Sequence, residues 1–289
     1  MDALETAPAV EGAPGKRTPG RAGRNLPAAI AVGLALGALV TVPLFSPVKW
    51  VFVGVLAAAA ALGTWEVVQA LRRLGARPPL LPLLVGGTAM VVLAYRSGPE
   101  ALLLALLLTV LAVVVARLVD PARGYLRDLA ASAFTASYVP FLAGFAALLT
   151  QPLDGPRRVT VFIATVVCSD VGGYAAGVLF GKHPLAPSVS PKKSWEGVVG
   201  SLLACTVAGA VFFSTLLHAS PLLGVVYGLA VVATATLGDL GESMVKRDIG
   251  IKDMGDLLPG HGGLMDRLDS LLPAAPVAWL LLSAFVPLP

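Results

Sequence analysis

Charge is scarce in this sequence. Only 13% of its 289 residues are Asp, Glu, Lys or Arg, about half the share of roughly 25% found in ordinary soluble domains. A single water-facing domain cannot be covered with so few. Cysteine is nearly missing as well: Cys168 and Cys205 are the two present, and both lie in apolar runs. That excludes a disulfide framework, and three scattered histidines provide no ligand cluster for zinc. Both thiols read as small buried hydrophobes. The net charge of +4 and the pI of about 9.2 come without a basic domain, so nucleic acid is not an expected partner. The alternation of a membrane β-barrel is absent.

What the chain has is apolar length. It is 56% hydrophobic, with a mean hydropathy of +0.83. A membrane span needs roughly 20 mostly uncharged residues, and backbone in lipid must satisfy its own hydrogen bonds, so such runs become helices. The expected fold is an all-α polytopic bundle of about nine helices. The spans are 26–45, 50–71, 80–95, 101–116, 129–149, 159–180, 198–217, 222–237 and 271–288. Arg77-Pro78-Pro79, Ser97-Gly98-Pro99 and Ser220-Pro221 punctuate them. Residues 1–25, rich in Pro, Gly and Ala and ending in Lys16, Arg17, Arg21 and Arg24, read as a disordered basic cytosolic tail. A cleaved signal peptide is the alternative, but the segment before Leu26 is long and eight more apolar runs follow. Five spans then fill 26–149, and 150–289 forms a four-span catalytic region with two polar loops.

The basic residues set the expected orientation. With the N-terminus in the cytosol, 17 Lys and Arg fall on the cytosolic side and 4 (Lys49, Arg96, Arg157 and Arg158) on the other. The positive-inside rule asks for such a split. It places both long polar loops, 181–196 and 238–267, on the cytosolic face of a cell membrane.

Those loops hold the chemistry. Residues 243–269 read SMVKRDIGIKDMGDLLPGHGGLMDRLD. If the preceding helix continues, Asp239, Glu242, Ser243 and Lys246 share one face, spaced i, i+3, i+4 and i+7. Asp266 and Asp269 are i and i+3 where the last span begins. Oxygen ligands at this density suit Mg²⁺. Solvated surface charge accounts equally well for Asp248, Asp253 and Asp256. It accounts badly for Asp239, Asp266 and Asp269, which sit at span ends where ionised groups are costly. Gly260, His261, Gly262 and Gly263 read either as a phosphate cradle of backbone N–H groups or as a tight re-entry turn. In the other loop, Pro184, Pro187 and Pro191 impose an extended backbone. Its Lys182, Lys192 and Lys193 could hold phosphates or mark topology, and composition does not choose. Asp170, inside the sixth span, is a functional candidate by its place in the membrane. Glu66, near a cytosolic helix end, reads as a structural partner of Arg72 or Arg73.

Residues 243–269 resemble the signature of the phosphatidate cytidylyltransferases (CDP-diacylglycerol synthases). Ser243, Lys246, Arg247, Lys252, Asp253, the Pro-Gly-His-Gly-Gly run 259–263, Asp266, Arg267 and Asp269 occupy its places in order. The run Ser190-Pro191-Lys192-Lys193-Ser194 is similar to the family's Ser-Pro-Lys-Lys loop, and 170–174 to its sixth-span Asp motif. The similarity covers roughly the C-terminal half; the first four spans match only in being apolar. It implies transfer of CMP from CTP to phosphatidate, with release of pyrophosphate. It also implies Mg²⁺ held by Asp239 and Asp266, with room for a second, monovalent cation and for a homodimer in the bilayer. Lys192, Lys193, Lys246 and Arg247 would then serve catalysis. Ser190, Ser194, Ser243, Lys252, Arg267, Asp170 and the glycine loop would bind substrate.

The residue types suit that reaction. Both reactants are anions, and two unit charges about 4 Å apart repel by about 4 kcal/mol at an effective dielectric near 20. Cations must offset this and the charge growing on the leaving group. The attacking phosphate is already ionised near neutral pH, so His261 is expected in the phosphate loop rather than as a base. A CTP-dependent lipid or polyprenol kinase is the nearest rival enzyme. A transporter, from another class, would also explain Asp170, but transporters gather their polar residues at midplane, and here they gather at one face.

Overall fold

The computed structural model describes residues 26–119, 123–257 and 262–287, with side chains from residue 33 onward. The tail 1–25, Pro259, Gly260, His261 and Leu288 at the end of the ninth span lie outside the described residues. The chain runs α1 (Leu26–Leu44), α2 (Lys49–Arg72), α3 (Leu80–Ser97), α4 (Pro99–Arg117) and α5 (Tyr125–Ala136). A π-turn (Ser137–Phe141) then leads into α6 (Leu142–Leu149), followed by α7 (Gly155–Phe180), β1 (Pro184–Ala186), β2 (Ser190–Ser194), α8 (Trp195–Thr215), α9 (Pro221–Ile249), α10 (Met265–Leu268) and α11 (Leu271–Phe285).

Every apolar run of the sequence is helical. Among the described residues, eight helical segments are long and apolar enough to cross a membrane, and the described part of α1, Gly33–Leu44, is a shorter apolar helix. The surface is that of a lipid-facing protein: α4 exposes Leu103, Leu104, Leu107, Leu108 and Leu111 while burying Ala105 and Thr109. Tails of lipid are as apolar as leucine, so close backbone packing rather than hydrophobic exclusion holds such helices together. Helices α7, α8 and α9 show it. A Cβ on Gly172 would stand 2.8 Å from the Gly200 carbonyl oxygen, and one on Gly209 would run into the carbonyl of Gly224.

The eighth span departs most from expectation. The apolar run ends at Leu237, yet α9 continues to Ile249, 29 residues in all. At 1.5 Å per residue it is about 44 Å long, against a hydrocarbon core of about 30 Å. The three turns after Leu237 therefore extend the helix at the membrane surface. Gly250, with φ 79°, ends it; the N–H of Ile251 donates to the carbonyl of Lys246 at 2.9 Å. Residues 238–249 of the expected polar loop are thus helix.

The fifth span is broken at Pro140, which has no N–H to donate, and the chain widens into the π-turn there. The loop 181–196 is extended, as its prolines require: β1 and β2 pair antiparallel, Pro184 opposite Ser194 and Ala186 opposite Ser190. On the opposite face two basic residues cap helix ends. Lys49 donates to the carbonyls of Thr150 and Pro152 at 3.2 and 2.6 Å. Arg158, 1% exposed, is paired with Asp154 at 2.9 Å and donates to the carbonyls of Leu282 and Val286.

Candidate active site

The ends of α7 and α9 and the starts of α8, α10 and α11 meet on one face. Helix α9 supplies the spine. Because it continues without a break, Asp239, Glu242, Ser243 and Lys246 stack along one side of it. Ser243 donates to Asp239 at 3.4 Å, and Lys246 to Glu242 at 3.2 Å. Lys246 also reaches across to Asp266 at 2.8 Å, tying α9 to α10.

Asp266 is the most heavily engaged carboxylate of the site. Besides Lys246 it accepts from the backbone N–H groups of Met254, at 3.0 Å, and Gly263, at 2.8 Å. One side chain thus pins both ends of the loop between α9 and α10. The glycine turn had two readings from sequence, a phosphate cradle of backbone N–H groups and a tight re-entry turn. Three successive N–H groups are turned toward protein carboxylates: Gly263 toward Asp266, Leu264 and Met265 toward Glu66. Gly262 takes φ 80° beside Asp266.

Glu66 is the residue that sequence reasoning placed wrongly. It does not pair with Arg72, which donates to Gln69 at 3.3 Å. Instead its carboxylate, 1% exposed, accepts the N–H groups of Leu264 at 2.9 Å and Met265 at 2.8 Å. A negative charge there satisfies orphan donors at the start of α10. Gly255 and Gly263 let the loop close over it, since a Cβ on either would come within 2.8 Å of a Glu66 oxygen. Tyr138, in the π-turn, was also overlooked. Its buried hydroxyl has no hydrogen-bond partner among the described residues and lies within electrostatic reach of Asp239, Glu242 and Asp269. Pro140 in the middle of an apolar run was the available signal.

The hairpin brings the lysines in. Lys193 is 2.5 Å from the Asp239 carboxylate, and Arg247 fixes the hairpin by donating to the Val189 carbonyl at 3.2 Å. Glu196 sets where the hairpin starts, accepting from the N–H groups of Lys182 and His183 and lying 2.6 Å from the His183 ring. Ser194 caps α8, its hydroxyl accepting the Gly197 N–H at 3.1 Å. Behind Lys193 opens a cavity of about 610 Å³ lined by Asp170, Tyr174, Lys192, Lys193, Ser194 and Asp239, among others. Asp170 makes no hydrogen bond to a described residue, and it lies within electrostatic reach of Asp239, Asp269 and Lys193. Asp269 accepts from the N–H and hydroxyl of Ser270 through one oxygen.

The structure therefore gathers Asp170, Lys192, Lys193, Ser194 and Asp239 around one cavity, with Ser243, Lys246, Asp266 and Asp269 beside it. Ser190 begins the strand that carries the lysines. Lys252 and Arg267 are exposed and do not line the cavity. Five carboxylates (Asp170, Asp239, Glu242, Asp266 and Asp269) face three lysines, Lys192, Lys193 and Lys246. One oxygen of Glu242 is buried with no hydrogen-bond partner among the described residues. Among those residues no three His, Cys, Asp or Glu side chains converge into a finished metal cage. Mg²⁺ does not ask for one: it is commonly held by one or two carboxylates together with water and substrate phosphates. An acidic excess beside a phosphate-sized basic hairpin fits that manner of binding.

The chain matches the cytidylyltransferase family over residues 27–285. The first spans thus belong to the shared pattern, beyond the C-terminal half that the motifs alone marked. A phosphatidate cytidylyltransferase of Mycobacterium leprae (strain TN) is 49% identical, over 93% of this chain and 90% of that protein. One of Mycobacterium tuberculosis (strain ATCC 25618 / H37Rv) is 46% identical, over 91% and 84%. One of Haemophilus influenzae (strain ATCC 51907 / DSM 11121 / KW20 / Rd) is 42% identical over about half of each chain. On a match that runs from the first apolar helix to the last, the chain belongs to the cytidylyltransferase family.

Proposed function

We propose that this chain transfers CMP from CTP to phosphatidate, giving CDP-diacylglycerol and pyrophosphate for phospholipid synthesis. The observation that carries the proposal is the Lys193–Asp239 pair at the mouth of the 610 Å³ cavity. It joins the basic hairpin to the acidic helix end where a polyanion and its counter-cation would meet. In the reaction an oxygen of the phosphatidate phosphate attacks the α-phosphorus of CTP, and the bond to pyrophosphate breaks.

Each residue has a task in this scheme. Lys192 and Lys193 hold the triphosphate and oppose the charge that grows on the leaving pyrophosphate. Asp239 and Asp269, with Asp266 beside them and Asp170 across the cavity, would hold Mg²⁺. The ion, when bound, offsets phosphate charge and orients the reacting oxygens. Lys246 keeps Asp266 and Glu242 in register, and Arg247 keeps the hairpin over the cavity. By the resemblance, Gly260, His261 and Gly262 would contact phosphate; the N–H groups of the next three residues serve Asp266 and Glu66.

The site lies at a membrane surface, where a lipid phosphate and a soluble nucleotide can both arrive. We place it on the cytosolic face of the plasma membrane, because 17 of the 21 Lys and Arg residues fall on its side. The resemblance to the synthases also points to a homodimer, which the mass of the detergent-purified particle would establish. The deciding experiment incubates purified protein with labelled CTP, phosphatidate and Mg²⁺. A labelled CDP-lipid with pyrophosphate supports the assignment. No CDP-lipid from phosphatidate, with a phosphorylated alcohol and CDP formed when diacylglycerol or a polyprenol is supplied instead, would make the chain a lipid kinase and end the assignment.

A further inference from the structure

A second cavity, larger than the first, plays no part in the chemistry above. It measures about 1080 Å³ and lies between the turn joining α2 to α3 and the start of α5, lined by Arg72, Arg77, Arg117, Arg123, Arg127 and Asp128 with the intervening backbone. Asp128 is the only carboxylate among its described lining residues. It is 1% exposed and already engaged, with Arg117 at 2.7 Å, the backbone N–H of Arg77 at 2.7 Å and, at the longer distance of 3.7 Å, the half-exposed Arg127. Its charge goes into organising the floor of the cavity. Arg72, Arg77, Arg123 and Arg127 are left exposed around it.

The position of Arg127 is built. The Arg127 guanidinium sits against two glycine turns. Gly75 and Gly124 both take φ 76°, and a Cβ on them would stand 3.1 and 3.0 Å from Arg127 nitrogens. Both turns favour glycine for conformation, and a side chain at either would also press on the Arg127 guanidinium. An excess of cytosolic charge would satisfy the positive-inside rule without any of this. A concave wall of one sign concentrates its potential, and guanidinium forks match the oxygens of a phosphate. The cavity also opens where α2 and α4 end and α3 and α5 begin. That is the membrane face of the first site, since Glu66 near the end of α2 holds the start of α10. Lipid phosphates lie at this depth.

We propose that this cavity binds a phosphate group, separately from the cytidylyl-transfer site. Its two available sources are the headgroup of an anionic lipid in the surrounding leaflet and free phosphate in solution. The proposal stands apart from the assignment of activity and would survive its failure.

The test is equilibrium binding to the full chain in neutral detergent micelles. The probes are labelled phosphatidylglycerol, labelled phosphatidylcholine as a zwitterionic control, and inorganic phosphate alone. Saturable binding of phosphatidylglycerol in preference to phosphatidylcholine is expected. The combined variant Arg77→Gln, Arg123→Gln, Arg127→Gln should weaken it by about 100-fold, at the worth of three cations near an anionic surface. Lys192→Gln with Lys193→Gln should not change it. Gly75→Ala keeps every charge but displaces Arg127, and should weaken binding too. If only inorganic phosphate binds, with the same dependence on the arginines, the site stands and its ligand is soluble. Equal binding by the triple variant, or by Gly75→Ala, would reduce the cavity to diffuse surface charge and overturn the proposal. A melting curve for each variant shows that it is folded.

Discussion

Glu66 accepts the backbone N–H of Met265 at 2.8 Å across 199 positions of sequence, so α2 holds the start of α10. The neighbouring N–H of Leu264 uses the other oxygen. Replacing Glu66 by Ala leaves two donors buried without partners, at about 1–3 kcal/mol each. Glu66→Ala should therefore lower the melting temperature, speed hydrogen exchange in 262–270 and cut kcat/KM by about tenfold or more. Glu66→Gln keeps one acceptor oxygen and should fall between. If hydrogen exchange in that segment stayed at the wild-type rate, Glu66 would not be holding the loop.

That contact also shows where sequence stopped informing. Apolar length revealed the helices, because a run without charge has few other fates in lipid. The spacing of Asp239, Glu242, Ser243 and Lys246 announced a shared face, which the unbroken α9 supplies. The partner of Glu66 was hidden, because backbone N–H groups carry no residue identity and Arg72 and Arg73 stood nearer in the chain. The same blindness affected the glycine turn. Three glycines foretell close approach but not to what, and here three successive N–H groups approach two carboxylates of the protein itself. Tyr138 depended on a π-turn whose only sequence sign was Pro140.

Asp239 and Asp266 should respond differently to the same change. Asp239 is half-exposed at the cavity and contacts side chains only, Lys193 and Ser243. Asp239→Asn should abolish turnover, by about 10³-fold, as losing a preorganised charged group can do, with an unchanged melting temperature. Asp266 also holds two loop N–H groups and a buried lysine. Asp266→Asn should abolish turnover and cost stability on the order of 3 kcal/mol, the low end for a broken buried pair, since Glu242 still faces Lys246. Thermal melts with and without Mg²⁺ read both effects. Near-wild-type turnover in Asp239→Asn with unchanged Mg²⁺ dependence would remove it from the metal site.

Orientation is checked by chemistry at single sites. In a background with Cys168 and Cys205 replaced by Ala, a cysteine at Lys182 or Lys252 should react with a membrane-impermeant maleimide only in inside-out vesicles. Both positions are exposed, and both belong to the face rich in Lys and Arg. A cysteine at Arg157, on the opposite face, should label in intact cells. Labelling of position 182 or 252 from outside would invert the assigned topology.

The lysines of the hairpin separate positioning from surface charge. Lys193 touches Asp239 and lines the cavity; Lys192 lines it from an exposed position; Lys182 lies outside it, near the turn that Glu196 organises. A lysine that meets phosphate equally in the bound and transition states changes KM, whereas one that meets only the charge appearing on pyrophosphate changes kcat. The leaving group is where charge grows, and Lys193 must exchange its carboxylate partner for phosphate as the nucleotide enters. Lys193→Ala should therefore lower kcat/KM by about 10²-fold or more, chiefly through kcat, as loss of one charge-stabilising group commonly does. Lys192→Ala should act more through KM, and Lys182→Ala should do little. Steady-state kinetics with CTP varied at fixed phosphatidate distinguishes the three. Equal mild losses across the set would mean that the hairpin lysines serve only to hold the loop at an anionic surface, and the catalytic role given to Lys193 would fall.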